Sequence, residues 1–82
     1  MDFVSRKDLM RGLKTLSLAG RNFEPIAPRG ISSIVADKLV ALGLAQRGEC
    51  RQRMQELGYE TGYRLTMVGW KARFNKALFP KP

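Results

Sequence analysis

The sequence predicts a small α+β domain, and three observations carry that expectation. Apolar residues recur at helical spacing in three places, Leu9 to Leu16, Val35 to Leu42 and Trp70 to Leu78. Between the second and third lie two short runs of strand character, Leu44–Arg47 and Tyr63–Leu65, separated by a polar stretch. The chain holds 82 residues, 44% of them hydrophobic. That suffices for one compact core and leaves little room for an enclosed active-site cavity. A single domain over residues 1–82 is expected.

Each element has a local cause. Ser5 followed by Asp8 resembles a helix N-terminal cap, where a hydroxyl and an early acid meet free backbone N–H groups. Leu9, Leu13 and Leu16 then recur with Met10 and Leu18 beside them, while Lys7, Arg11 and Lys14 fall on another face. The spacing predicts a first helix over 6–18, stopped near Gly20. Pro25 and Pro28 bias the residues before them to extended forms, so residues 20–30 form a shortened helix or a turn, pinned by Phe23 and Ile26.

Ser32 or Ser33 caps the next helix, whose Val35, Leu39 and Leu42 make an apolar stripe widened by Ile31 and Ala36. Gly43 supplies its stop. Leu44-Ala45-Gln46-Arg47 alternates and suits a strand. Arg51–Leu57 suits a short helix with Met54 and Leu57 inward, and Tyr63 and Leu65 share one face of a returning strand. Thr66 caps a last helix, in which Trp70, Phe74, Ala77 and Leu78 keep the core rhythm. Met10, Met54 and Met67 are expected as core filler.

Fifteen Lys and Arg, most of them Arg, against seven Asp and Glu give a net charge of +8. That excess favours polyanions: DNA, RNA, an anionic membrane or an acidic protein face. The lone Cys50 makes no internal disulfide, which suits a reducing, cytoplasmic setting. No signal-peptide pattern is read at the start, and no apolar run nears the roughly 18 residues that span a bilayer, so no membrane partner is expected.

One stretch carries a family resemblance. Val35 to Arg47, followed by Tyr63-Arg64-Leu65-Thr66-Met67-Val68-Gly69, resembles the helix-strand-wing-strand-helix portion of MarR-like winged helix-turn-helix proteins. The family pattern is a "D-x-L-x-x-x-G-L" helix end, a charged wing, then "L-T-x-x-G". Asp37, Leu39, Gly43, Leu44, Leu65, Thr66 and Gly69 stand at those positions. Short bacterial and phage proteins show it too. The resemblance covers residues 31–78 and implies a small winged helix-turn-helix: three or so helices with a two- or three-stranded β-wing. The chain departs from the family in its Pro-containing segment before Ile31, in a long wing, and in lacking the frequent Asp-Arg pair there.

The resemblance implies a DNA-binding surface. By family position, Ser32, Ser33, Asp37 and Lys38 or Ala41 reach base edges in the major groove. For Ser32 and Ser33 a plain capping role stands beside that one. The set holds no Asn, Gln or Arg for bidentate base contacts, so affinity falls to phosphate contacts from Arg29, Arg47, Arg51, Arg53 and Arg64. Glu49, Glu56 and Glu60 dilute the wing's charge, and a merely solvated loop is the competing reading. Tyr63, Trp70 and Phe74 invite base stacking, but their phase favours core packing. Arg6, Lys7, Arg11 and Lys14 are either a solvated helix face or a second phosphate patch.

Catalysis has little footing. The chain contains no histidine, its acids form no pair at catalytic spacing, and Cys50 lacks a second cysteine for a zinc site. No enzyme, metal or cofactor is expected. Two functions of different class follow. The first is a DNA-binding transcriptional regulator that occupies duplex DNA, as a homodimer through its terminal helices. The second is a phage- or mobile-element-encoded protein of the same fold that docks on a host protein or nucleoprotein complex and inhibits it.

Overall fold

The computed structural model describes residues 4–79. The architecture is α+β: four α-helices, two 3-10 turns and a two-stranded antiparallel sheet. In chain order these are α1 (Arg6–Leu18), a 3-10 turn (Ala27–Arg29), α2 (Ser33–Ala41), β1 (Ala45–Glu49), α3 (Gln52–Glu56), β2 (Thr61–Leu65), α4 (Met67–Phe74) and a second 3-10 turn (Lys76–Leu78). The short helix expected over Arg51–Leu57 forms as α3, which brings the count to four against the three or so that the resemblance implies.

Local chemistry explains most boundaries. Ser5 and Asp8 form a full capping box, each side chain accepting from the other residue's backbone N–H, at 3.1 and 3.4 Å. Ser32, not Ser33, caps α2, its hydroxyl accepting from the Val35 N–H at 3.2 Å. Gly43 follows with φ +76, a left-handed conformation that glycine adopts without a Cβ penalty. The proline segment forms only the 3-10 turn, because Pro28 can sit in a first turn but cannot extend a helix through its ring.

The core gathers one face from each layer. Leu9, Leu13 and Leu16 of α1 meet Ala36 and Leu39 of α2, then Leu44, Tyr63 and Leu65 of the hairpin and Ala72 of α4. Each large apolar side chain so buried contributes about 1.5–3 kcal/mol. The sheet register pairs Ala45 with Leu65, Gln46 with Arg64, Arg47 with Tyr63 and Glu49 with Thr61. A third edge is reduced to one bridge, Glu24 to Tyr63.

Several inward assignments fail. Leu57 is 65% exposed, since Gly58 turns the chain just beyond the single turn of α3. Leu18 ends α1 facing solvent. The helix expected through Leu78 breaks at Asn75, which takes extended angles (φ −140, ψ 100) and caps the 3-10 turn with its own side chain. Phe74, Ala77 and Leu78 therefore face solvent, and Phe79 enters the core in their place. Met67 is also exposed, although Met10 and Met54 are partly buried. Ile26 is half-buried and packs against the core as expected, Phe23 is half-buried outside that cluster, and Glu24 and Pro25 between them are buried.

The first turn of α4 explains the Thr66 and Gly69 positions. Thr66 N–H donates to the Leu44 carbonyl at 3.1 Å, its hydroxyl donates to Gly43 O at 2.7 Å, and the same oxygen accepts from Gly69 N–H at 3.0 Å. The helix start is thus pressed onto the Leu44 peptide, and a Cβ on residue 69 would overlap the Leu44 carbonyl oxygen. Because the obstacle is backbone, it cannot rotate away. Gly69→Ala is expected to cost about 3 kcal/mol, at the upper end of overpacking, and thermal unfolding followed by circular dichroism measures it.

Candidate nucleic-acid interface

Tyr63 places the hairpin beside α2. Its N–H donates to Glu24 O at 2.9 Å, and its carbonyl accepts from Glu24 N–H at 3.1 Å. With both backbone groups spent on that edge, its pairing with Arg47 on the other edge is the non-hydrogen-bonded kind, in which side chains approach most closely. The phenol crosses to α2 and donates to Asp37 Oδ1 at 2.7 Å. Arg47, paired with Tyr63, therefore projects on the same sheet face, and its charge is felt at the Tyr63 phenol.

The side chains expected on DNA divide into two groups. Ser33, Lys38 and Ala41 are exposed on the outer face of α2, joined by Ile34 at 44% exposure. Arg29, in the 3-10 turn just before α2, is exposed, as are Arg47 and Arg53. The other group is engaged inside the molecule. Ser32 is spent on its cap and Asp37 on Tyr63.

Arg51 reaches Glu24 Oε1 at 2.9 Å, the one ion pair among the described residues. The Arg64 guanidinium lies 4.3 Å over the Phe23 ring, with Nε donating to Gln46 Oε1 at 3.1 Å and Nη1 to the Arg21 carbonyl at 3.4 Å. Arg51 and Arg64 thus hold structure, whereas Arg29, Lys38, Arg47 and Arg53 have no ion-pair partner among the described residues.

Two functional roles escape the sequence. Glu24 is 5% exposed, a carboxylate whose burial its spacing between Phe23 and Pro25 does not betray. Phe23 packs its ring on Gly48 of β1, so it serves as a platform for Arg64 and not as a core residue. An alternation signal exists there, because Phe23 and Pro25 flank Glu24 as alternate positions of an edge strand do. Three residues are too few for that pattern to stand out.

The two groups with displaced protonation are both held neutral. Burial, then the hydrogen bond to Asp37 and that residue's charge, push the Tyr63 phenol up, against a smaller opposing pull from Arg47. Burial and the charge of Glu24 push the Cys50 thiol up, while Arg51 pulls it down. A thiol so placed is a poor nucleophile at neutral pH. Among the described residues, no group of three or more His, Cys, Asp or Glu is placed to hold a metal ion, and no helix is long and apolar enough to cross a membrane.

Both shifts raise a folded-state pKa above its unfolded value. Their stabilisation is whole below the ordinary pKa values and is lost as pH rises through the folded ones. Unfolding free energy should therefore begin to fall as pH rises past about 8.5, the ordinary thiol value, and fall further past about 10, the ordinary phenol value. Tyr63→Phe should lose about 1 kcal/mol at pH 7 and show a shallower alkaline decline in urea titrations; an unchanged slope would assign the decline elsewhere. By the same measurement, Arg51→Ala should cost about 1–2 kcal/mol by stranding buried Glu24, and exposed Arg53→Ala should stay within about 0.5 kcal/mol.

Comparison with protein-family models, with curated proteins and with solved structures returns no match to this chain in any of the three.

Proposed function

We propose that the protein binds duplex DNA as a small winged helix, with α2 in the major groove and the β1–α3–β2 hairpin as the wing, and regulates transcription by occupying its site. One observation carries the reading. Arg47 shares the sheet face from which Tyr63 reaches Asp37 of α2, Lys38 is the exposed neighbour of that aspartate in the helix, and Arg29 stands in the turn before α2. These three cations have no acidic partner within ion-pair distance among the described residues. A net charge of +8 supplies the long-range attraction.

The contact is one of phosphates more than of bases. Ser33, Ile34, Lys38 and Ala41 offer α2 a single charged donor and small apolar surface, which suits a thymine methyl better than a purine edge. Modest sequence discrimination and steep salt dependence follow. Lys38→Ala combined with Arg47→Ala is expected to weaken binding to every duplex alike, and to reduce the log–log salt slope by about 1.8, measured by fluorescence anisotropy at several salt concentrations. No binding of the wild-type chain to any duplex at about 50 mM salt, or a double variant with an unchanged slope, would sink the reading.

A further inference from the structure

A second cationic surface lies between α1 and α4, apart from the α2–β1 side. Arg6, Lys7, Arg11 and Lys14 of α1 face Arg73 and Lys76 across a groove floored by Met10, and among the described residues no carboxylate lines it. Lys7, Arg11 and Lys14 follow at i, i+4 and i+7, a row about 10 Å long on one helix face. Six cations around one open groove repel each other unless an anion sits among them.

The groove leads onto an aromatic pair, exposed at Phe74 and half-buried at Trp70, which packs its inner side against the core. Arg73 Nε donates to Ser17 Oγ at 3.3 Å, and its guanidinium lies 5.1 Å over the Phe74 ring. Phe74 is 75% exposed and stacks with Trp70, their centroids 6.4 Å apart and their planes 16° from parallel. Trp70 in turn lines a hollow with Met67, Arg21, Gln46 and Arg64. Cations of the groove, two aligned rings and then Arg21, beside the Arg64 already seated over Phe23, succeed one another across this face.

We propose that this face holds a single-stranded nucleic acid, with phosphates in the α1–α4 groove and unpaired bases stacked on Phe74 and Trp70. Apolar surface alone would suit a second copy of the chain, but cations stand at both ends of the aromatic pair, and two copies at +8 repel. A duplex satisfies the cations and leaves the rings idle, because its bases already stack on each other. Unpaired bases offer their faces, and a basic groove beside aromatic rings is how single strands are held without sequence preference. The site is separate from the α2–β1 surface, so the two readings stand or fall independently.

Trp70 is the one tryptophan of the chain, so its fluorescence reports directly on the site. Oligo-dT or oligo-rU of about 15 nucleotides is expected to quench it at low salt, and a blunt duplex of equal length to leave it nearly unchanged. Phe74→Ala should weaken oligonucleotide binding roughly 10-fold. Lys7→Ala with Lys14→Ala, on the solvent face of α1, should weaken it and flatten the salt slope by about 1.4 while circular dichroism stays native. Lys38→Ala with Arg47→Ala should leave it intact. The proposal is overturned if neither oligonucleotide quenches Trp70, if the duplex quenches it equally, or if only anionic vesicles do. It is equally overturned if Phe74→Ala dissociates a dimer without changing oligonucleotide affinity, or if the lysine pair has no effect.

Discussion

Three segments distant in sequence are tied together by one residue, Tyr63. Its backbone bonds the edge at Glu24 in both directions, its ring lies in the core at 6% exposure, and its hydroxyl reaches Asp37 on α2. A hydrogen bond to a carboxylate in a partly buried site is worth more than a neutral one in water. The larger consequence is geometric. The phenol ties the hairpin to α2, and Arg47 lies on the sheet face from which that tie is made. The proline segment is held by the same residue from the other edge.

Half of the acids among the described residues are put to structural use. Asp8 closes the capping box, Glu24 holds Arg51, and Asp37 accepts from Tyr63. Glu49, Glu56 and Glu60 are exposed on the hairpin and α3, where they offset Arg47 and Arg53. The charge of +8 is therefore unevenly spread, and the region least diluted by carboxylates is the α1–α4 groove, not the hairpin. A basic composition says that a polyanion is attracted. Where it settles depends on which cations the fold leaves unpaired, and the fold withdraws Arg51 and Arg64 from that set.

Signals that act within one turn were legible. The Ser5–Asp8 box, the Ser32 and Thr66 caps and the Gly43 stop each involve atoms three or four residues apart, and each lies where its residue type demands. The Leu9-Leu13-Leu16 and Ala36-Leu39 stripes follow for the same reason. The close approach of Gly69 to the Leu44 carbonyl gives the Leu65-Thr66-Gly69 spacing a mechanical cause. Failures cluster where periodicity outruns its element. Phe74, Ala77 and Leu78 kept a helical rhythm, but rhythm cannot tell where a helix ends, and Asn75 ends it early. Leu57 and Met67 failed because an apolar residue on a short element has no guarantee of a partner across from it.

The amino-acid order by itself determined the α+β class, the capped helix starts, the Gly43 stop, the returning strand and the excess of positive charge, because all of these arise from interactions along a few residues of chain or from composition. Only the tertiary structure decided which polar side chains are free. Asp37, Arg51 and Arg64 look like surface groups in the sequence and are consumed by partners 26, 27 and 18 residues away or by the Phe23 ring. Phe74, which looked like core, stands at the surface, stacked on a Trp70 that is half-buried against the core as expected, beside cations of α1 and the α4 end. Such pairings depend on how elements dock, and docking is set by the shape of the buried faces, which no single stretch of chain contains.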